Sequence, residues 1–296
     1  MTATVGFIGL GQMGAAMVER LQDQGYAMVV LANRSRTAID AAIARGAEEA
    51  NSARDLATRS DIIMLCMDTS ASVESRMYGD DGVIAGLASG KVVIDFGTSL
   101  PHSTRMLGEA VKAADASMLD APLGRTPAHA RDGKLNIMAS GDAATYEQAQ
   151  DTLAVLGENL FHLGELGTGH TIKLINNFFG MTLANSMAEA FSTAEAAGID
   201  PRKLFDVMAS GPLHSGMMDF VAAYALEQDP NQLEFSIRNA RKDITYYTTM
   251  ADDLGVSSIM STGTKQALSL ATNSGYGDSN LSTMVDFYRQ FSGREL

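Results

Sequence analysis

Residues Val5-Gly-Phe-Ile-Gly9-Leu-Gly11-Gln-Met-Gly14-Ala-Ala-Met-Val-Glu-Arg-Leu21 run from an apolar strand through a G-x-G-x-x-G turn into an amphipathic helix. Few folds accept that succession. Gly9 permits the tight turn, Gly11 lets the backbone approach a diphosphate, and Gly14 lets helix and strand pack closely. The helix N-terminus adds unpaired N–H groups and the positive end of the helix dipole. The segment is therefore expected to bind a dinucleotide through Gly9, Leu10, Gly11, Gln12, Met13 and Gly14. A purely structural glycine turn is the competing reading, and the strand–turn–helix context weighs against it.

The rest of the first half extends this unit. Short apolar runs near Thr4–Ile8, Met28–Ala32, Asp61–Met67, Val92–Asp95, Ser117–Asp120, Leu135–Ser140 and Asn159–His162 alternate with amphipathic stretches. That alternation predicts strand–helix repeats and a doubly wound, mainly parallel sheet, with some later strands antiparallel. From Gly167 the pattern changes. Thr168 to Ala197 has no proline and one glycine, Gly180, before a Gly198 stop, which predicts a single long helix. Asp200-Pro201 restarts a helix, and Ser236–Leu254, Ser257–Ser274 and Ser279–Phe291 continue the pattern. The expected fold class is an α/β N-terminal Rossmann domain over residues 1–163 and an all-α C-terminal domain over 164–296.

With 35 acidic against 22 basic residues the net charge is −13, which argues against a general nucleic-acid or anionic-membrane binder. An anion site must then be built from local donors. The one cysteine, Cys66, lies in the buried-type run Asp61–Met67 and fits a reducing compartment. No leader-like segment and no apolar run of about 18 residues is present, so a cytoplasmic protein is expected. No metal ligands are assigned. The 18 methionines are read as gap fillers in helix packing.

About twenty residues past the glycine loop, where an acid would bind the ribose 2′-OH of NAD, the chain reads Asn33-Arg34-Ser35-Arg36. Asn33 does not repel a 2′-phosphate, Arg34 and Arg36 can pair with it, and Ser35 can donate to it. NADP is the expected cofactor, with NAD as the alternative; solvated loop arginines would be the plain reading. Met67, at the end of its apolar run, is grouped with the cofactor residues.

Two further segments carry chemistry. In Gly167-Thr-Gly169-His-Thr-Ile-Lys173-Leu-Ile-Asn176-Asn177, Lys173 and Asn177 share a helix face, which suits protonation of a carbonyl oxygen beside an orienting amide. A lone helix lysine would be ordinary on a surface. In Asp120-Ala-Pro122-Leu-Gly124-Arg125-Thr126, a strand end leads into a glycine turn and an arginine, where backbone amides and a guanidinium can hold an anion. A surface turn is the alternative.

Together these motifs resemble the β-hydroxyacid dehydrogenases, the 3-hydroxyisobutyrate dehydrogenase-like reductases, in order and over nearly the whole chain. The matching segments are Gly9–Gly14, Asp120-Ala-Pro122-Leu, Gly169 through Asn177, and Phe235 through Lys242-Asp243. The resemblance implies Lys173 as proton donor, Asn176 and Asn177 as substrate ligands, and Lys242 closing over the nicotinamide. Asp95-Phe-Gly-Thr98 resembles a cofactor segment of the family, with Gly97 replacing its serine, so Thr98 alone is carried over. Most of the family has Ser-Gly-Gly where this chain has Gly124-Arg125-Thr126. That form is similar to the loop of the 3-sulfolactaldehyde reductase branch, where it receives a sulfonate.

The implied function is reduction of a small anionic aldehyde, 3-sulfolactaldehyde first, interconverted with 2,3-dihydroxypropane-1-sulfonate. Carboxylate semialdehydes such as tartronate, succinate or methylmalonate semialdehyde are the alternative. A non-catalytic dinucleotide-binding protein on the same scaffold is the alternative of another class, and the presence of both Lys173 and Asn177 argues against it. The apolar helical half is expected to be buried in a homodimer or homotetramer.

Overall fold

The computed structural model describes residues 3–32 and 36–293. Asn33, Arg34 and Ser35, three of the expected cofactor residues, lie outside the described residues. The chain divides into two units, Met1–Lys173 and Leu174–Leu296.

The first unit begins with the expected alternation: β1 (Val5–Ile8), α1 (Gln12–Asp23), β2 (Met28–Leu31), α2 (Thr37–Ala44), β3 (Glu48–Glu49) and α3 (Ala53–Arg59). It continues through β4 (Ile62–Leu65), α4 (Ser70–Met77), β5 (Val92–Asp95), α5 (Pro101–Lys112) and β6 (Ser117–Asp120). These six strands form one parallel sheet in the order β3-β2-β1-β4-β5-β6. Val5 pairs with Met28 on one side and with Ile62 on the other, so strand order reverses at β1. β1, β2, β4 and β5 are buried along their whole length, as strands covered by helices on both faces must be. Their side chains feed two apolar clusters, one containing Phe7, Met17, Leu21 and Ile94, the other Ile8, Leu56, Ile63 and Leu65. Ser52 and Thr69 cap α3 and α4 by accepting from the amides of Asp55 and Ser72, and Pro101 opens α5.

The second half of this unit comprises β7 (Leu123–Gly124), α6 (Pro127–Arg131), β8 (Leu135–Ala139), α7 (Ala143–Leu156) and β9 (Gly157–His162). β7, β8 and β9 make a small mixed sheet, antiparallel between β7 and β8 and parallel between β8 and β9. The two-residue strands β3 and β7 have no sequence signature, because two residues cannot display a period.

The long helix is α8 (Thr168–Ala196), and the division between the units falls inside it. The second unit then folds from α9 (Pro201–Ala209), α10 (Gly216–Glu227), α11 (Ile237–Asp253), α12 (Ile259–Ala271) and α13 (Met284–Phe291). α9 starts on an Asp200 cap and α11 on a Ser236 cap. The helix expected over Ser257–Ser274 stops at Ala271 in a π turn over Thr272–Tyr276, where Gly275 takes φ 96°. The last helix starts later than expected because Leu281–Thr283 winds as a 3₁₀ turn. α10 was not anticipated, since its apolar residues surround the helix and leave no stripe. Met181, Met187, Met218 and Met284 fill the core of this unit beside Phe191, Ile244 and Phe287. Among the described residues no helix is long and apolar enough to cross a membrane, and no group of three or more His, Cys, Asp or Glu could hold a metal ion.

Candidate active site

In an open parallel sheet, ligands bind beyond the carboxyl ends of the strands where strand order reverses. The glycine loop after β1, Met67 after β4, Thr98 after β5 and Asp120 at the end of β6 all stand at that edge. The loop is shaped for a diphosphate. Gly9 has φ +100°, and a Cβ there would lie 2.3 Å from the Cys66 carbonyl oxygen. A Cβ on Gly14 would lie 2.1 Å from the Gly9 carbonyl oxygen. Beside Gly11, in contrast, no heavy atom stands within 4 Å of the Cβ position. Gly11 caps α1 with no side chain on the helix amides, and the first turn carries no acid. A dinucleotide pyrophosphate fits this arrangement: open space on the Gly11 side and first-turn N–H groups without intrahelical partners. Met67 borders the loop, its Sδ 3.0 Å from the Cβ position of Gly9.

The Thr98 turn is set by Asp95, whose buried carboxylate accepts from the Gly97 amide at 2.8 Å and from Ser99 Oγ at 2.9 Å. A Cβ on residue 97 would come 3.0 Å from Asp95 Oδ1, a tight contact with that carboxylate. Burial, and then the charge of Asp95, push the neighbouring Cys66 thiol up to about 12, so it is inert near neutrality. On the adenosine side, Arg36 is already engaged. Its guanidinium donates to both oxygens of Glu49, at 2.9 and 3.0 Å, and to Asp40. Arg36, read from the sequence as able to pair with a 2′-phosphate, is paired here with two carboxylates.

Lys173 stands in the second turn of α8, and its Nζ donates to the Leu123 carbonyl oxygen at 2.7 Å. The start of that helix is held by Asp120, which has no exposed surface. Asp120 accepts from the Gly167 amide at 2.7 Å, from the His170 amide at 2.7 Å, and from Ser140 Oγ. Ser140 Oγ in turn accepts from the Gly169 amide at 2.8 Å. Such close approach needs glycine at 169, where a Cβ would meet the Met138 carbonyl oxygen at 2.3 Å and Asp120 Oδ2 at 2.8 Å. The His170 imidazole is buried, with Nδ1 2.8 Å from Thr104 Oγ1 and Nε2 3.8 Å from Asp95 Oδ2.

The anion loop divides in two directions. Gly124 pairs with Asn136, whose Cβ would lie 3.2 Å from a Cβ on residue 124. Arg125 takes the left-handed φ of 77°, and its guanidinium donates to the Lys134 carbonyl oxygen at 2.7 Å and to Glu158 at 2.5 Å. Thr126 Oγ1 lies 2.8 Å from His129 Nδ1.

In the second unit, Asn177 is buried and donates through Nδ2 to Asp243 Oδ2 at 2.6 Å. Asn176 Nδ2 reaches Asn177 Oδ1 at 3.4 Å. Lys242 Nζ is 2.9 Å from Asp243 Oδ1 and 5.2 Å from the centre of the Tyr246 ring. Ser140 and Glu158 were not singled out from the sequence, and Asp120 and Asp243 appeared there only as members of matched segments with no role assigned. The available signal was a carboxylate closing the buried run Ser117–Asp120, where an unpartnered charge is costly.

Residues 4–164 match the family described as the NAD-binding domain of 6-phosphogluconate dehydrogenase. Residues 167–288 match that described as NAD-binding of NADP-dependent 3-hydroxyisobutyrate dehydrogenase. The chain is 30% identical to the 3-sulfolactaldehyde reductase of Escherichia coli (strain K12), over 98% of this chain and 97% of that protein. It is 26% identical to the chloroplastic glyoxylate/succinic semialdehyde reductase 2 of Arabidopsis thaliana, over 99% of this chain and 82% of that protein. Among solved structures, the 3-hydroxyisobutyrate dehydrogenase of Mycobacterium tuberculosis with L-serine superposes with a TM-score of 0.87 at 24% identity, covering 98% of this chain and all (100%) of that one. At that identity the likeness speaks for the fold.

Proposed function

The chain belongs to the β-hydroxyacid dehydrogenase family, and from that premise we propose that it reduces a small anionic aldehyde, 3-sulfolactaldehyde, to 2,3-dihydroxypropane-1-sulfonate with NADPH. The observation that carries the reading is the position of Lys173, an ammonium on the first turns of α8 held at 2.7 Å by a carbonyl of the anion loop. When bound, the dinucleotide supplies a hydride to the aldehyde carbon. Gly9, Leu10, Gly11, Gln12, Met13 and Gly14 would hold its pyrophosphate, Met67 and Thr98 would border it, and Asn33, Arg34 and Ser35 would select the ribose phosphate. Lys242 is assigned to the nicotinamide side.

Lys173 leaves the Leu123 carbonyl for the aldehyde oxygen and gives it a proton as negative charge develops there. Asn177, one helical turn further along α8, is fixed by Asp243 and orients the substrate together with Asn176. Gly124, Arg125 and Thr126 receive the distal anion. A sulfonate offers three acceptor oxygens, which suits a loop with a guanidinium, a hydroxyl and backbone amides. The 30% identity to a 3-sulfolactaldehyde reductase supports the same choice.

A second reading rests on a specific contact. With its guanidinium on Glu158 and Lys134, Arg125 is turned to its own loop, and the remaining donors would suit a carboxylate. Succinate, tartronate or methylmalonate semialdehyde would then be the substrate. The proposed enzyme is cytoplasmic and acts as a homodimer or homotetramer, and the exposed apolar residues Phe179 and Ile175 of α8 support the oligomer.

NADPH or NADH oxidation followed over a panel of 3-sulfolactaldehyde, the three semialdehydes and a neutral aldehyde tests the proposal. The highest kcat/KM is expected for the sulfonate with NADPH. A carboxylate semialdehyde in first place selects the second reading. Tight NADPH binding without oxidation on any aldehyde would mean a non-catalytic dinucleotide-binding protein.

A further inference from the structure

We infer that Asp120 is a positioning residue, a buried carboxylate that clamps the start of α8 and thereby sets the Lys173 ammonium; this rests on the proposed role of Lys173 in proton donation. The acid is far from the helix it serves, 47 residues from Gly167 and 50 from His170, so it is no ordinary local cap. Its donors are two main-chain amides and the Ser140 hydroxyl, with the His170 imidazole 3.7 Å away. Helix amides and the positive end of the dipole stabilise a charge that burial would otherwise disfavour.

The geometry does more than hold the helix. Asp120 closes β6, and three residues later Leu123 offers its carbonyl to Lys173. One short loop therefore grips α8 at two heights, by its amides at Gly167 and His170 and by its lysine one turn on. A lysine near a helix N-terminus is opposed by the dipole, and a carboxylate seated on that same terminus offsets the opposition. Gly169 gives up its side chain for this contact, because any Cβ would run into Asp120 and Met138.

Asp120→Asn keeps the size but removes the charge and sets an amide donor against main-chain donors. Turnover of the best aldehyde is expected to fall about 10- to 100-fold, as for an ångström-scale misplacement of a reacting group. NADPH affinity by fluorescence titration and KM should change less than about threefold, since neither depends on the ammonium position. The decisive measurement is a double-mutant cycle. In a Lys173→Ala background, Asp120→Asn should change kcat by less than about twofold, because the group it positions is gone. Equal losses in both backgrounds would overturn the inference and leave Asp120 a general stabiliser.

If Asp120→Asn does not fold, Ser140→Ala removes one donor and leaves the carboxylate, and the same cycle applies with a smaller loss. Amide hydrogen exchange over residues 167–173 provides an arm that needs no activity. Exchange there should quicken in Ser140→Ala, and unchanged exchange would sink the clamp. Full turnover by Lys173→Ala would instead remove the proposed reaction mechanism, with the exchange result still deciding whether the clamp exists.

Discussion

The Arg125 guanidinium lies 2.5 Å from the Glu158 carboxylate, carried by a residue whose backbone sits at a left-handed φ of 77°. The pair holds the Glu158 carboxyl below its usual range, chiefly by the hydrogen bond from Arg125. An anionic substrate that uses Arg125 must therefore compete with Glu158. Arg125→Ala is expected to lower kcat/KM for a sulfonated aldehyde by about 10- to 150-fold, the equivalent of losing one charge-assisted contact of roughly 1.5–3 kcal/mol. A neutral aldehyde of similar size should lose far less, and Glu158→Gln should lower KM for the sulfonate by releasing the guanidinium. Equal losses for neutral and sulfonated substrates would assign Arg125 to loop structure and withdraw the sulfonate in favour of a carboxylate.

The glycine loop separates a folding role from a binding role within three residues. Gly11→Ala places a methyl in open space and should leave the thermal midpoint unchanged while weakening NADPH binding at least about tenfold, because the pyrophosphate approaches that face. Gly14→Ala sets a methyl 2.1 Å from the Gly9 carbonyl oxygen and should lower the thermal midpoint as well. Calorimetry and fluorescence titration of the two variants check the contrast, which fails if Gly11→Ala binds NADPH normally.

Cofactor choice is expected to depend on Arg34 and not on Arg36. Arg36 is bound by Glu49 and Asp40, so Arg36→Ala should change the ratio of kcat/KM for NADPH over NADH by less than about threefold, an exposed ion pair contributing little. Arg34→Asp should reverse the preference, since the acid repels a 2′-phosphate and accepts from a free 2′-OH. A wild-type protein that uses NADH as well as NADPH would refute the reading of this loop.

Asp243 holds two of the proposed site residues at once, accepting from Asn177 and pairing with Lys242. Asp243→Ala leaves a buried carboxamide without its acceptor, and about 1.5–3 kcal/mol of stability should be lost in urea unfolding. KM for the aldehyde should rise with it, because the Asn177 side chain is no longer held. Unchanged KM in a folded Asp243→Ala variant would exclude Asn177 as a substrate ligand.

The fold was legible from sequence wherever one residue's neighbours along the chain report its surroundings. The strand–turn–helix at Val5–Leu21, the runs at Val92–Asp95 and Ser117–Asp120, and the uninterrupted stretch from Thr168 all carry their period or punctuation locally. Glycine spacing likewise announced the loop, because only a residue without Cβ passes the Gly9 and Gly14 positions. The two-residue strands and the all-round apolar α10 escaped, having no period to read.

The sequence by itself determined the longer strands of the first unit, the long helix α8, the family they compose, and Lys173 as a candidate proton donor. Only the tertiary structure decided which carboxylate each site residue would meet: Asp120 for the α8 amides, Asp243 for Asn177 and Glu158 for Arg125. Periodicity records that a face is buried, and burial depends on the chain's own repeat. A hydrogen bond depends on two atoms coming within about 3 Å, and for residues 33 to 66 apart in sequence that distance is set by strand order and helix packing.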